Sequence, residues 1–183
     1  IWQASSKYEK NDIRKRIGRN VAESIVVAPD LPSSTINTSY IPIENYIRQS
    51  GDPLRIVFLS RISHMKNLDF AIKILAKISI PVSFDIYGTI EDSSYWEKCQ
   101  KSIAILPKSI RVRYNGFLPH YNVPEMLQKH DLFFLPTKGE NYGHVIAEAL
   151  SAGLPVLISN TTPWRGLEEA GVGWDINLSD IKA

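Results

Sequence analysis

The feature that most constrains this chain is a rhythm. From Leu54 onward, short apolar runs alternate with stretches of helical period. "LRIVFLS" (54–60), "VSFDIYG" (82–88), "DLFFLP" (131–136) and "LPVLISN" (154–160) read as strands, and "IRVRYNGF" (110–117) and "VGWDIN" (172–177) as two more. Between them, "NLDFAIKILAKIS" (67–79) sets Leu68, Ala71, Ile72, Leu75 and Ile78 on one helical face and Asp69, Lys73 and Lys77 on another. "SYWEKCQKSIAIL" (94–106), "VPEMLQKH" (123–130), the segment after Gly143 and "WRGLEEAG" (164–171) read as further helices. A strand that is apolar throughout must be covered on both faces. The pattern therefore predicts an α/β fold, Rossmann-like and three-layered, with a mostly parallel sheet and right-handed connections. In such a sheet, ligands bind beyond the carboxyl ends of the strands, at a topological switch point. The loops at 60–66, 88–92, 116–122, 137–143 and 160–163 are thus the places to look.

Residues 1–50 break this rhythm. "SSKYEKNDIRKRIG" (5–18) reads as a helix with a Ser cap and a basic face, and "SIVVAP" (24–29) as a short strand. From 30 to 53 the chain is rich in Pro, Ser, Thr and Asn and reads as a linker. Residues 1–50 are expected to lead into one domain at 51–183. The sequence starts without methionine and stops soon after a strand, so a fragment of a longer chain is expected.

Bulk properties exclude several classes. The net charge of +2 is too small to argue for nucleic acid. The single cysteine, Cys99, rules out an internal disulfide and any Cys-rich metal site. No apolar run approaches the roughly 20 residues that span a bilayer. No Asp-x-Asp occurs, so metal-bridged diphosphate binding is unsupported, and no G-x-G-x-x-G follows a strand, which argues against a dehydrogenase-type domain.

Two loops carry candidate chemistry. "SRISHMKN" places Arg61 and Lys66 between a buried strand and a helix, where cations suit a diphosphate. In "TKGENYGHVIAEALSAGLPVLISN", Glu140 precedes a helix and Glu148 lies in its second turn. Gly143 at the helix start permits close backbone approach, and the first-turn amides favour negative charge. Carboxylates accept from hydroxyls rather than bind phosphate. An anion site flanked by two hydroxyl acceptors describes a nucleotide sugar. Taken singly, each of these residues is equally well read as a helix cap or a solvated surface charge.

Together they resemble a known family. "GENYGHVIAEALSAGLPVLIS" is similar to the E-x7-E region of family 4 glycosyltransferases, with Glu140, Gly143, Glu148, Ala149, Gly153, Pro155 and Val156 in register. "FLSRISHMKNLDFAI" resembles that family's GR-x-x-x-x-K-G segment, with Arg61 and Lys66 in place. "FDIYG", "VRYNGFL" and "DLFFLPTKGE" resemble the segments between, so the likeness runs from about Val21 to Asn177. Ser60 and Asn67 stand where the family usually has Gly, and Tyr142 where it has Phe.

The resemblance implies the C-terminal, donor-binding half of a GT-B, retaining enzyme that transfers a sugar from a UDP, GDP or other nucleotide-diphosphate donor. It implies no cofactor and no required metal. Arg61 and Lys66 would hold the diphosphate with the backbone at Ser60 and Gly88, and would stabilise the leaving group. Glu140 would sit beside the donor sugar, Gly143 and His144 would cap phosphate or sugar through their backbone, and Glu148 would accept the ribose hydroxyls. Phe117 and Leu118 would lie along the base. A glycan or lipid-linked acceptor would enter through an N-terminal domain, without which no transfer is expected. Family association suggests polysaccharide biosynthesis in the cytoplasm. The basic cluster Arg14, Lys15, Arg16 and Arg19 could touch anionic lipid headgroups, hence peripheral membrane association, although a solvated helix face is the plainer account. The rival reading is a non-catalytic nucleotide-sensing module of the same fold. His64, in the candidate phosphate loop, reads as a structural residue, His120 and His130 have no metal-ligand partners at useful spacing, and Trp164 and Trp174 read as core or interface.

Overall fold

The computed structural model describes residues 2–4, 7–17, 25–27 and 51–179. Residues 30–50 of the expected linker, Arg19 and the last four residues lie outside them. Three elements come from the first fifty residues: β1 (Trp2–Ala4), α1 (Lys7–Ile17) and β2 (Ile25–Val27). β1 and β2 pair in parallel, with α1 as their crossover.

The remainder alternates as the sequence predicts. In order come β3 (Leu54–Leu59), α2 (Leu68–Leu75), β4 (Val82–Tyr87), α3 (Ser93–Ala104) and β5 (Ile110–Tyr114). Then follow a single 3-10 turn (His120–Asn122), α4 (Val123–Leu127), β6 (Leu132–Leu135), α5 (His144–Ser151), β7 (Val156–Ser159) and β8 (Gly173–Ile176). The six strands β3 to β8 form one sheet in the order β5-β4-β3-β6-β7-β8, every pair parallel. The order reverses between β3 and β6, so the switch point lies beyond Leu59 and Leu135.

The apolar strands are buried as their composition requires. Val57, Phe58, Phe84, Ile86, Phe133, Leu135, Val156 and Ile158 are all fully enclosed. Leu68, Ala71, Ile72 and Leu75 of α2 cover one face, joined by Tyr95, Trp96 and Cys99 of α3. Burial pushes the Cys99 thiol up to about 11, which leaves it an inert core residue. Asp92 caps α3 by accepting from the Tyr95 N–H at 2.9 Å.

One expected helix is absent. Residues 164–171 form turns rather than a helix, because Gly166 and Gly171 take φ of +66° and +68°. Arg165 also donates to the backbone carbonyls of Asn160, Thr162 and Trp164. α2 also ends earlier than its pattern: beyond Leu75 the N–H groups of Lys77 and Ile78 bond back only three residues, which tightens the last turn.

Candidate functional site

The switch point carries an open cleft of about 1040 Å³. Its walls are the loops after β3 and β6 and the first turns of α5. Seven of the ten sequence-predicted site residues line it: Ser60, Arg61, Lys66, Glu140, Gly143, His144 and Glu148. Arg16, at the end of α1, lines it too.

Backbone bonds lock the two loops together. The Lys138 N–H donates to the Met65 carbonyl at 2.8 Å, and the Thr137 hydroxyl donates to the same carbonyl at 3.1 Å. Asn67 is the one described non-glycine residue with positive φ, at 60°. Its amide donates to the Pro136 carbonyl at 2.9 Å while buried. This explains the departure from glycine at that position. Asparagine tolerates the left-handed region, and here its side chain also ties the end of β6 to the start of α2.

Those bonds bring Lys66 against Glu140. The Lys66 ammonium donates to the Glu140 carboxylate, and both side chains are nearly enclosed, at 12% and 13% exposure. Charges so far out of water need partners, and this pair supplies them. Arg61 is more open: its guanidinium pairs with Glu91 at 2.6 Å, both groups well exposed. An exposed pair of this kind contributes little stability and leaves the guanidinium adaptable.

Gly143 opens α5 with φ +81°, and a Cβ there would meet Ile146 at 2.8 Å. A side chain there would strike the buried Ile146, so the position favours glycine, and the Gly143 carbonyl accepts from the Ile146 N–H at 2.8 Å to close the first turn of α5. His144 is exposed, its ring against Tyr142 with centroids 4.9 Å apart. Glu148 sits one turn on, half-buried; burial pushes its carboxyl above the ordinary range, against the opposing pull of His120 and His144.

Gly88, Phe117 and Leu118 stand outside this lining. Gly88 props it from behind. Its N–H donates to the Gly116 carbonyl, and its α-carbon faces the Ser60 carbonyl. Phe117 is exposed, and Leu118 lines a second cavity of about 550 Å³. In that cavity the charges already satisfy one another. Arg55 pairs with Asp131, Lys129 with Glu125, and Asp85 with both Arg113 and His130. His64 packs on Tyr95 of α3, as a structural reading has it. Among the described residues, no group of three or more His, Cys, Asp or Glu is placed to hold a metal ion.

Two site residues escape motif reading. His120 approaches Glu148 at 3.5 Å. Trp164 donates its indole N–H to the Tyr142 carbonyl at 2.7 Å and sets its ring edge-on to that of Tyr142. Neither spacing nor period marks them, because each touches a lining residue, Glu148 or Tyr142, from a different loop.

Residues 43–180 match the family model described as "Glycosyl transferases group 1". Curated relatives include a 2-deoxystreptamine glucosyltransferase of Streptomyces kanamyceticus, 27% identical over 59% of this chain and 28% of that protein. A putative colanic acid biosynthesis glycosyltransferase of Salmonella typhimurium is 26% identical over 75% of this chain and 36% of that one. Among solved structures, the Anabaena protein HepE in complex with UDP superposes with a TM-score of 0.72 and 25% identity, over 96% of this chain and 49% of that one. The lipopolysaccharide-biosynthesis glycosyltransferase WaaG shares the fold, with a TM-score of 0.71 at 19% identity over 96% of this chain and 48% of that one. The chain thus spans about a third of these curated relatives and about half of the structural ones.

Proposed function

Because the chain belongs to the glycosyl transferases group 1 family, we propose that it is the nucleotide-sugar-binding domain of a retaining hexosyltransferase. The observation that carries this reading is the convergence of Arg61, Lys66, Glu140 and Glu148 on one cleft at the switch point, from loops far apart in sequence. The UDP and UDP with glucose bound by HepE support a uridine diphosphate sugar as donor.

In this reading Arg61, Lys66 and the first-turn amides of α5 take the diphosphate. They neutralise the charge that grows on it as the bond to the anomeric carbon breaks. Lys66 is well fitted to this, since its pairing with Glu140 holds the ammonium at the boundary between phosphate and sugar. Glu140 accepts from the sugar hydroxyls, and Glu148 accepts from the ribose. Gly143 and His144 offer backbone N–H groups between them. The acceptor hydroxyl attacks from the face that the diphosphate leaves, and its proton goes to the departing phosphate oxygen. The acceptor is a glycan or a lipid-linked sugar, presented by the rest of the full-length protein. The exposed cations Arg14, Lys15 and Arg16 on α1 suit a cytoplasmic enzyme working at an anionic membrane face.

The test is calorimetric titration of the full-length protein with UDP, GDP and their sugars, with sugar transfer measured alongside. One nucleotide diphosphate is expected to bind. Lys66→Ala and Glu140→Gln should each lower kcat by about 100-fold, the usual cost of losing one preorganised charge. Failure of every nucleotide to bind would sink the site. Transfer that survives both substitutions would remove Lys66 and Glu140 from the chemical step, and nucleotide binding with no transfer by the wild type would leave a binding module without catalysis.

A further inference from the structure

Beside Glu148, which lines the cleft, stands an imidazole with no assigned role. His120 opens the 3-10 turn between β5 and α4, and its Nδ1 stands 3.5 Å from Glu148 Oε1 on α5. The turn fixes its backbone: the Val123 N–H donates to the His120 carbonyl, and the Asn122 N–H donates to the Pro119 carbonyl at 3.0 Å. The imidazole is 65% exposed, whereas the Glu148 side chain is 28% exposed. A water-facing ring therefore reaches inward onto a carboxylate that the fold has largely enclosed.

A carboxylate that accepts from two neighbouring hydroxyls must be ionised, and its plane must be set. Burial works against the first requirement at Glu148, and His120 counters it. A glutamate has three rotatable side-chain bonds, so the second requirement needs a partner on one oxygen. His144, the other imidazole near Glu148, packs against Tyr142. The His120 Nδ1 lies beside a Glu148 oxygen.

We propose that His120 is a positioning residue for ribose recognition: its ring N–H holds one oxygen of Glu148 and turns the carboxylate toward the 2′ and 3′ hydroxyls of the nucleotide. The inference rests on the nucleotide-sugar reading of the cleft. His120 touches neither phosphate nor donor sugar in this scheme and acts only through Glu148.

The experiment is a binding cycle on the full-length protein. Wild type, His120→Ala and His120→Gln are titrated with UDP and GDP, each alongside its 2′,3′-dideoxy form. Wild type should prefer the ribose form of whichever nucleotide binds. His120→Ala should weaken that form about three- to tenfold, the range for a charge-assisted bond partly screened by solvent. Its affinity for the dideoxy form should stay at the wild-type value. His120→Gln restores an N–H donor and should recover most of the loss. Equal weakening of both forms, or no weakening of either, overturns the positioning role. A wild type that binds none of the four nucleotides overturns the nucleotide site itself.

Discussion

Gly88 shows how closely one residue can hold a site it does not line. Its φ is +139°, and a Cβ built on it would come 1.9 Å from the Ser60 carbonyl oxygen. That contact is backbone, so no rotamer can relieve it. Gly88→Ala must shift either β4 or the loop carrying Arg61 and Lys66. The combined strain and overlap should cost roughly 3 kcal/mol or more. For a domain of this size that lowers Tm by about 6–12 °C. Thermal melting checks the fall in Tm, and an unchanged Tm would show that the loop moves freely. Asn67 makes the complementary case, since its left-handed backbone is accommodated by an asparagine whose amide earns a bond across to Pro136.

Elements were legible in the sequence where one force dominated. The parallel strands follow from unbroken apolar runs, and α2 follows from its periodic face. The segment 164–171 misleads, since its composition suits a helix. Two left-handed glycines and an arginine that takes up nearby carbonyls decide the matter, and both are tertiary facts. In the site the division is similar. Arg61, Lys66, Glu140 and Glu148 stand at motif spacings within single loops and helices, so sequence alone marks them. His120 and Trp164 act across elements and leave no such mark. Trp164 has a measurable role here, because its indole N–H fixes the Tyr142 carbonyl just ahead of α5. Trp164→Phe keeps the ring and removes the donor. It should cost about 1 kcal/mol of stability and weaken nucleotide binding several-fold as the loop at 137–143 loosens. Denaturant melts and calorimetry measure the two effects. Unchanged affinity would mean that the loop is set by its bonds to Met65 alone.

For the whole molecule, acid is the informative stress. Asp85 is buried in β4, which by itself would raise its pKa, but hydrogen bonds from Arg113 and His130 outweigh this and hold it below the usual carboxylate range. Asp69 is likewise held low, where bonds from Tyr95 and the charge of Lys73 outweigh burial. A folded-state pKa below the unfolded value stabilises the fold above about pH 4. That stability disappears as pH falls through the folded value, because the unfolded chain binds the proton first. Urea titrations from pH 6 to pH 3 should show stability dropping below about pH 4. Asp85→Asn should flatten that drop, and an equally steep drop in the variant would remove Asp85 from the account.

The switch point also has a consequence for how the molecule is made. Lys66 and Glu140 lie 74 residues apart, so a chain leaving the ribosome displays half a cleft while the other half is still being synthesised. At about 5–20 residues per second, that interval lasts roughly 4–15 s. Under the proposed function, nucleotide affinity would arrive only after β6 has paired with β3. A nucleotide already present would then bind only the completed arrangement and by mass action would draw its assembly forward.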